Sequence, residues 1–257
     1  MIKISIITIC YNNEYDIRAT IESVINQSYN NIEYIIIDGA SKDQSLSIIN
    51  AYKDRIAKII SEPDKGIYDA INKGIRNATG DIIGLIHAGD KLYDNQVIDK
   101  IVSFFKANGN LDISYGNSVI VNPEGKPCRI NESPEFSRVL IKKGWMPSHQ
   151  SIYCRREVFE KYGVYNTEIG WAADYEWFIR VFHKQDLKIK RLNQYIVKFA
   201  TGGSSTKSYK SRFTEKHQSM IKKCWEVNGL KAPVGIVYWQ MFRKIKQILL
   251  PLIRTVQ

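Results

Sequence analysis

Several features that mark specialised classes of protein are missing from this sequence of 257 residues. The four cysteines, Cys10, Cys128, Cys154 and Cys224, are widely separated and include no Cys-x-x-Cys pair, which argues against a structural zinc site or a disulfide framework. The first residues run directly into an apolar pattern without the basic segment, apolar core and cleavage site of a secretion signal. We therefore expect a globular protein of the reducing cytoplasm.

Two glycine-rich phosphate-binding motifs are also absent. No G-x-G-x-x-G follows the first strand-like segment, and no G-x-x-x-x-G-K-[ST] occurs in the chain. A nucleotide, if one binds, must be held without a dinucleotide fingerprint or a P-loop.

Acidic residues are scarce in the last part of the chain. The formal net charge is +11, and residues 200–257 contain eleven lysines and arginines against only Glu215 and Glu226. Such a basic segment favours contact with an anionic membrane surface, nucleic acid or a phosphorylated substrate.

Strand-like and helical patterns alternate through the first hundred residues or so. Strands are predicted over 3–10, 32–37, 56–61 and from 82, and helices over 14–26, 45–52, 67–77 and 95–107. This alternation requires right-handed crossovers between parallel strands. The predicted fold class is α/β, with a Rossmann-like, mostly parallel central sheet flanked by helices.

The second half gives a less regular pattern. Strands are predicted over 111–121, 151–154 and 187–199, and helices over 133–143, from 157 and from 170. Residues 201–205 read as a flexible loop, and two basic helical patterns close the chain.

Three acids, Asp38, Asp64 and Asp90, lie at or just beyond the carboxyl ends of successive predicted strands. Ligands of open α/β sheets bind at that edge. Carboxylates brought together there repel one another unless a cation or ligand offsets their charge, and a hard divalent cation prefers oxygen ligands. The alternative is that each acid caps its own loop.

Six short motifs stand in the order that is typical of one enzyme family. They are Ile6-Ile-Thr-Ile-Cys-Tyr-Asn12, Ile36-Ile-Asp-Gly-Ala-Ser-Lys-Asp43, Ser61-Glu-Pro-Asp-Lys-Gly-Ile-Tyr-Asp-Ala-Ile-Asn-Lys-Gly74, Ala78-Thr-Gly-Asp81, His87-Ala-Gly-Asp90 and Ala172-Ala-Asp-Tyr-Glu176. Together they resemble glycosyltransferase family 2 over residues 3–203. The resemblance implies an inverting GT-A enzyme, a hexosyltransferase or N-acetylhexosaminyltransferase, that uses a nucleotide diphosphate sugar in bacterial surface polysaccharide (O-antigen or capsule) biosynthesis.

The resemblance also implies how the chain is divided and where the donor binds. Residues 1–205 are expected to form the GT-A domain, with a nucleotide-sugar-binding half (1–110) and an acceptor-binding half (111–205), before a basic amphipathic helical tail (206–257). A UDP-sugar is the favoured donor, because the acid matched by Asp38 commonly contacts uracil. The residues matched to the donor site are Thr8, Tyr11, Asn12, Asp38, Asp64, Lys65, His87, Ala88 and Gly89.

The metal motif departs from the usual pattern of two or more aspartates. Here it reads His87-Ala88-Gly89-Asp90, so only Asp90 keeps the metal-binding residue type. Asp90, the donor diphosphate and water would complete the shell of Mg²⁺ or Mn²⁺, which need few protein ligands. His87 either assists, since imidazole suits Mn²⁺ better than Mg²⁺, or bonds ribose or backbone.

Asp174 matches the catalytic base of the family. A single displacement at the anomeric carbon needs a carboxylate opposite the leaving phosphate to remove the proton of the acceptor hydroxyl. Glu176 competes for this role, but two residues along a helix is a turn of about 200°, so both cannot face one acceptor. The alternative for Asp174 is a first-turn acid that interacts with the helix dipole.

Further residues are matched to the flap and the acceptor site. Ser204, Ser205 or Lys207 would reach the diphosphate, although Gly-Ser loops are more often connectors. His149, Gln150 and Trp171 are predicted to face the acceptor, with a buried structural histidine as the alternative for His149.

The carboxy-terminal pattern predicts the partners. Aromatic, aliphatic and basic residues are mixed over residues 234–254, which is typical of an interfacial amphipathic helix. Basic residues near anionic headgroups contribute about 1 kcal/mol each. We expect a protein that is peripheral on the inner face of the cell membrane, with a polyprenyl-diphosphate-linked glycan as acceptor. A helix packed on the core or on a second subunit is the alternative, so an oligomer stays open. Nucleic acid is not an expected partner, because no binding module accompanies the charge.

Two rival functions follow from the same residues. A nucleotidyltransferase would show a Gly-rich, basic loop after the first strand, and residues 11–14 do not provide one. A non-catalytic nucleotide-sugar or glycan-binding protein would account for the reduced metal motif.

Overall fold

The first half of the molecule repeats a strand and helix unit. The structure, a computed structural model, describes residues 1–122, 124–200, 215–236 and 247. In chain order its first elements are β1 (Ile4–Cys10), α1 (Ile17–Ile25), β2 (Ile32–Asp38), α2 (Ser45–Asn50), a 3₁₀ helix (Lys53–Arg55), β3 (Lys58–Ser61), α3 (Ile67–Asn77) and β4 (Ile82–Leu85). Every strand and helix predicted for this half is present.

The second half is less regular. Its elements are β5 (Lys91–Leu92), α4 (Val97–Ala107), β6 (Ile113–Val121), β7 (Pro127–Asn131), α5 (Arg138–Lys142), a 3₁₀ helix (His149–Ser151), β8 (Ile152–Arg155), α6 (Arg156–Tyr162), a second 3₁₀ helix (Thr167–Ala172), α7 (Ala173–Phe182), β9 (Ile189–Ala200) and α8 (Glu215–Glu226).

One helix is much shorter than the pattern predicted. The expected helix over 133–143 was wrong at its start, because only Arg138–Lys142 is helical. Pro134 disfavours the helical conformation of Ser133, and both residues bond to β6 instead: the Ser133 amide donates to Asn117 Oδ1 at 2.9 Å, and the Pro134 carbonyl accepts from the Tyr115 hydroxyl at 2.8 Å. The Ser137 side chain then caps the short helix by accepting a hydrogen bond from the Val139 amide at 3.3 Å.

The strands of the described residues form one curled sheet in the order β3-β2-β1-β4-β8-β6-β9-β5, with β7 paired to β6. β3, β2, β1 and β4 are parallel, whereas β8 runs antiparallel to both β4 and β6. β9 returns parallel to β6. The predicted α/β class with a mostly parallel central sheet is confirmed, and its regular parallel part lies in the first half.

Helices cover both faces of the sheet. Alternate residues of β1 point to opposite faces, so Ile4 and Ile6 pack with α1, α2 and α4, while Ile7 and Ile9 pack with α3, α7 and α8. All seven residues of β1 are buried. This double coverage explains why the strands read as continuous apolar runs rather than as alternating ones.

The strand order reverses direction next to β1. The chain moves outward from β1 to β2 and β3, and then returns to place β4 on the other side of β1. The carboxyl ends of β1 and β4 therefore border a crevice of the kind in which α/β sheets bind ligands.

The first helix of the predicted basic tail packs on the body of the protein. Ile221, Cys224 and Trp225 of α8 are buried in the same cluster as the apolar residues of α7. The division at 205 and 206 stays a prediction. Most of the predicted interfacial helix, like Ser204, Ser205 and Lys207, lies outside the described residues. Within the described residues, no helix has both the length and the apolar character that crossing a membrane requires.

Candidate active site

The loop after β1 is held against the loop after β2. Asn12 adopts a left-handed backbone with φ of 46°, which asparagine tolerates better than most residues. Its backbone amide donates to the Ser41 hydroxyl at 2.9 Å, and its side-chain oxygen accepts from the Lys42 backbone amide at 2.7 Å. Asn12 therefore fixes the position of the two loops relative to each other.

The glycine that follows β2 brings three predicted donor residues together. A Cβ atom at Gly39 would lie 2.8 Å from a carboxylate oxygen of Asp64 and 3.2 Å from the ring of Tyr11. Asp38 precedes Gly39 directly, so Tyr11, Asp38 and Asp64 meet at one edge of the sheet. Tyr11 is 65% exposed and its ring is open to a ligand.

Asp38 and Thr8 make internal contacts in this structure. The Asp38 carboxylate is fully buried and accepts hydrogen bonds from the Ser61 hydroxyl at 2.6 Å and the Ser41 amide at 3.1 Å. The Thr8 hydroxyl is also buried, 3.0 Å from that of Tyr34. Asp38 therefore holds the loop after β2, Thr8 joins β1 to β2, and the contact of either residue with a donor stays a prediction.

Asp64 is anchored to α3. Its carboxylate lies 2.7 Å from the Lys73 ammonium group, which is also 3.0 Å from Glu62 and 3.6 Å from Asp69. Although burial opposes it, hydrogen bonding to Asp64 and Glu62 raises the pKa of Lys73. Lys65 is exposed, and its backbone amide donates to Asp69 at 3.0 Å. The ionic contacts hold this loop beside Gly39 and leave the Lys65 side chain facing solvent.

The turn after β4 carries the candidate metal ligand. Gly89 has a φ of 98°, which favours glycine, and the Asp90 amide donates to the His87 carbonyl at 3.0 Å. The Thr20 hydroxyl accepts from the Gly89 amide at 3.0 Å and donates to the Asp90 carbonyl at 2.7 Å. A residue of α1 that the sequence did not single out therefore fixes the turn.

The environment of Asp90 suits a positively charged ligand. Its carboxylate accepts a hydrogen bond from the Gln150 side-chain amide at 2.7 Å, and burial raises its pKa to about 7. A carboxylate that loses solvation in this way gains more from a cation than an exposed one does.

Three buried side-chain polar atoms close to this turn have no hydrogen-bond partner among the described residues. They are Asn13 Oδ1, His87 Nδ1 and Gln150 Oε1. Asn13 belongs to this group because a Cβ at Gly89 would lie 3.8 Å from its amide nitrogen. Unpartnered acceptors beside a carboxylate fit a divalent cation or a hydroxyl-bearing ligand. In the described part of the chain no three His, Cys, Asp or Glu side chains gather as a metal cluster, and besides burial the Asp16 charge near Asp90 helps to raise its pKa.

A pair of histidines joins this turn to the start of α7. The Nε2 atoms of His87 and His149 are 2.8 Å apart, and His149 Nδ1 lies 3.7 Å from a carboxylate oxygen of Asp174. Burial lowers the pKa of both histidines, which favours their neutral forms, although Asp174 partly opposes this at His149. His149 and Gln150, expected to face the acceptor, thus contact His87 and Asp90 of the donor side.

The two acids of α7 have different environments. Asp174 keeps a side-chain exposure of 23%, whereas that of Glu176 is only 3%. Glu176 accepts hydrogen bonds from Arg180 at 2.8 and 3.0 Å and from the side-chain amide of Asn228 at 3.1 Å. Because the Glu176 carboxylate is buried in an ion pair, Asp174 is the one that an acceptor can approach.

Tyr68 lies beside Asp174 and contacts the turn that leads into α7. The Tyr68 hydroxyl donates to the Trp171 carbonyl at 3.1 Å, and burial together with the nearby Asp174 charge raises the pKa of Tyr68. Trp171 is 48% exposed and stacks on His217 of α8, with ring centroids 4.8 Å apart. The predicted tail therefore supports an exposed aromatic ring in the turn before α7.

Comparison with known proteins gives the family and the fold. A family model described as "Glycosyl transferase family 2" matches residues 5–164. The chain is similar, at 27% identity over 237 residues, to a UDP-Glc:alpha-D-GlcNAc-diphosphoundecaprenol beta-1,3-glucosyltransferase, WfaP, of Escherichia coli, and the match covers 91% of this chain and 90% of that protein.

Solved structures agree on the architecture. TarS residues 1-349 of S. aureus, in complex with UDP-GlcNAc, superpose with a TM-score of 0.72 at 18% identity, over 94% of this chain and 70% of that one. A longer TarS chain is covered to 36% of its length. The mannosyltransferase PcManGT of Pyrobaculum calidifontis, in complex with GDP-Man and Mn²⁺, gives 0.67 at 16% identity, over 98% and 74% of the two chains. The predicted GT-A fold is confirmed.

Proposed function

The chain belongs to glycosyltransferase family 2, and we propose that it moves a sugar from a UDP-sugar to a hydroxyl group of a polyprenyl-diphosphate-linked glycan, with inversion at the anomeric carbon. The general class, a glycosyltransferase with a GT-A fold, follows from the family and from the architecture. The donor, the metal and the acceptor are parts of the proposal.

The observation that carries the proposal is the contact between the two sides of the crevice. Gln150 bonds Asp90 at 2.7 Å, and its neighbour His149 lies between His87 and Asp174. A donor diphosphate at Asp90 and a base at Asp174 would therefore stand on opposite sides of one reaction centre. An inverting displacement needs this arrangement, because the acceptor must attack from the side opposite the leaving group.

Each side chain has a defined task in this mechanism. Tyr11, Asn12, Asp64 and Lys65 border the space for the nucleoside at the ends of β1 and β2, with the buried Asp38 and Thr8 behind them. Asp174 takes the proton of the acceptor hydroxyl as the new glycosidic bond forms and the nucleoside diphosphate departs. No covalent sugar intermediate is required. Trp171 offers an aromatic face on which an acceptor sugar can stack.

A divalent cation fits the Asp90 side of the site. Asp90 would hold it with help from the unpartnered acceptors around the turn, and the cation would offset charge on the departing diphosphate. The Mn²⁺ complex of PcManGT, a protein of the same fold, supports this assignment. The choice between Mg²⁺ and Mn²⁺ is left to titration. Ser204 and Lys207 are proposed to assist at the diphosphate, and Ala88 and Gly89 to border it.

The acceptor proposal rests on the named relative and on the basic tail. The Escherichia coli protein acts, by its name, on a GlcNAc-diphosphoundecaprenol, and the excess of basic residues in this chain suits an anionic membrane surface. We place the enzyme at the inner face of the cell membrane, in bacterial surface polysaccharide biosynthesis.

The test is a transfer assay. Purified protein is incubated with radiolabelled UDP-glucose, UDP-galactose or UDP-GlcNAc and a synthetic GlcNAc-diphosphate-lipid, with Mn²⁺ or Mg²⁺. We expect one donor to label the lipid, with inverted configuration by NMR, and Asp174→Asn to abolish turnover while donor affinity is kept. A protein that binds UDP-sugars but transfers none of them to any lipid-linked or free glycan, whether wild type or variant, would instead be the non-catalytic binder.

A further inference from the structure

We propose that His87 sets the tautomer of His149, and that His149 in this tautomer positions the Asp174 carboxylate. The inference deepens the proposed function, because Asp174 is the base of that mechanism. It concerns two residues that were assigned separately to the donor and the acceptor.

The starting point is the contact between the two imidazole rings. Their Nε2 atoms are 2.8 Å apart, which is a hydrogen-bond distance. A hydrogen bond between two ring nitrogens uses one proton, so one Nε2 donates it and the other accepts it. Either His87 donates to His149, or His149 donates to His87.

The Asp174 side of His149 distinguishes the two arrangements. If His149 accepts at Nε2, its own proton is on Nδ1, 3.7 Å from a carboxylate oxygen of Asp174. An N–H dipole pointing at an anion is attractive, whereas a lone pair in the same place is repulsive. At 3.7 Å the contact is longer than a hydrogen bond, as catalytic contacts often are before substrate binds.

The other end of the pair does not oppose this arrangement. His87 Nδ1 is buried and has no partner among the described residues. It is an acceptor lone pair when His87 donates through Nε2, and an N–H in the reverse arrangement, so it lacks a partner in both. The contact with Asp174 therefore decides between the two arrangements.

The consequence for catalysis is orientation of the base. The backbone amide of Tyr175 donates to one oxygen of Asp174 at 2.8 Å, and once substrate tightens the site we expect His149 to donate to the other oxygen and to restrain the rotation of the carboxylate. His87 supplies the proton that keeps His149 in this form. A carboxylate at position 87, ionised at neutral pH, would have no proton to donate.

The first test reads the tautomers directly. The chain has four histidines, so the ¹⁵N NMR spectrum of histidine-labelled protein can be assigned with single variants. We expect His149 to be neutral with its proton on Nδ1, and His87→Ala to convert it to a mixture of tautomers. A neutral His149 protonated on Nε2, or an imidazolium in the wild type at neutral pH, would overturn the inference. This experiment needs no activity, so it stands apart from the test of the proposed function.

The second test uses two amides that mimic opposite sides of the ring. The amide nitrogen of His149→Asn lies near the place of Nδ1 and can donate to Asp174, whereas that of His149→Gln reaches the place of Nε2. We expect kcat to fall about 10- to 100-fold more in His149→Gln than in His149→Asn, with little change in the KM of the donor. Equal losses in the two variants would mean that His149 acts only by packing.

Discussion

The two acids of α7 are expected to separate into a catalytic and a structural residue. Glu176→Gln removes the charge that faces Arg180, whose guanidinium group also donates to the Val164 carbonyl at 2.8 Å. Breaking a buried ion pair by removing one partner costs about 3–5 kcal/mol. The glutamine oxygen can still accept one hydrogen bond, and Arg180 retains 21% of its side-chain exposure. We therefore expect a loss of about 2–3 kcal/mol in the free energy of unfolding.

Asp174→Asn is the matched change with the opposite expectation. Asp174 is partly exposed and makes no ion pair with Lys or Arg among the described residues, so the stability should stay within about 0.5 kcal/mol of the wild type. The asparagine cannot accept a proton, and the loss of a general base lowers turnover about 10²- to 10⁴-fold.

The two variants are compared by urea denaturation and by transfer rates measured well below their melting temperatures. The expected pattern is a less stable but active Glu176→Gln and a stable but inactive Asp174→Asn. A stable Glu176→Gln that has lost turnover, beside an active Asp174→Asn, would assign the base to Glu176 and refute the argument from burial.

Three further changes test the fold. A Cβ at Gly84 would lie 2.1 Å from the buried Tyr153 ring, so Gly84→Ala should cost about 1–3 kcal/mol in urea denaturation, whereas Gly109→Ala, with no atom within 4 Å, should cost little. Although burial opposes it, hydrogen bonds from a lysine, two hydroxyls and a backbone amide lower the pKa of Glu33 from 4.5 to about 2. The stabilisation by ionised Glu33 is complete above the unfolded pKa and is lost as pH falls from 4.5 towards 2. The urea midpoint of Glu33→Gln should therefore fall less over this pH window than that of the wild type, and equal falls in the two proteins would refute this expectation. Trp225→Ala should cost about 3–5 kcal/mol, seen as a lower melting temperature, and an unchanged melting temperature would show that α8 does not stabilise the core.

The order of strands and helices could be predicted because burial on both faces leaves a simple pattern. β1 and β4 are buried throughout and mostly apolar, and the apolar residues of the helices between strands recur at helical spacing. The prediction of a helix over 133–143 was wrong at its start because the apolar periodicity of the segment was given more weight than the proline inside it. The helix begins only after the Ser137 cap, and Pro134 was the signal in the sequence that the start lies later.

The sequence indicated where the candidate site residues lie in the fold better than it indicated which residues they contact. Strand ends placed Asp38 and Asp64 at one edge, and the structure brings both to Gly39. The hydrogen bonds that Ser41 and Ser61 donate to Asp38 join segments that meet only after folding, so the sequence alone does not show them. The contact of His87 with His149 joins residues 62 positions apart and has no signal in a single sequence.

The support of Trp171 by His217 was missed for a similar reason. The basic composition of the tail favoured a membrane surface, and packing on the core was kept as the alternative. In α8 the buried residues recur at helical spacing on one side, at Ile221, Cys224 and Trp225, while the charges lie on the other. That spacing was the available signal that this helix belongs to the body of the protein.

The most direct measurement of the central claim is a calorimetric titration of the full chain with UDP, GDP and dTDP, each with Mn²⁺, with Mg²⁺ and with chelator. We expect UDP to bind in the presence of a divalent cation, chelator to remove this binding, and Asp90→Asn to remove the dependence on metal. If none of the three nucleotides binds under any condition, or if UDP binds equally well with chelator, a metal-assisted donor site at the ends of β1 and β4 is contradicted.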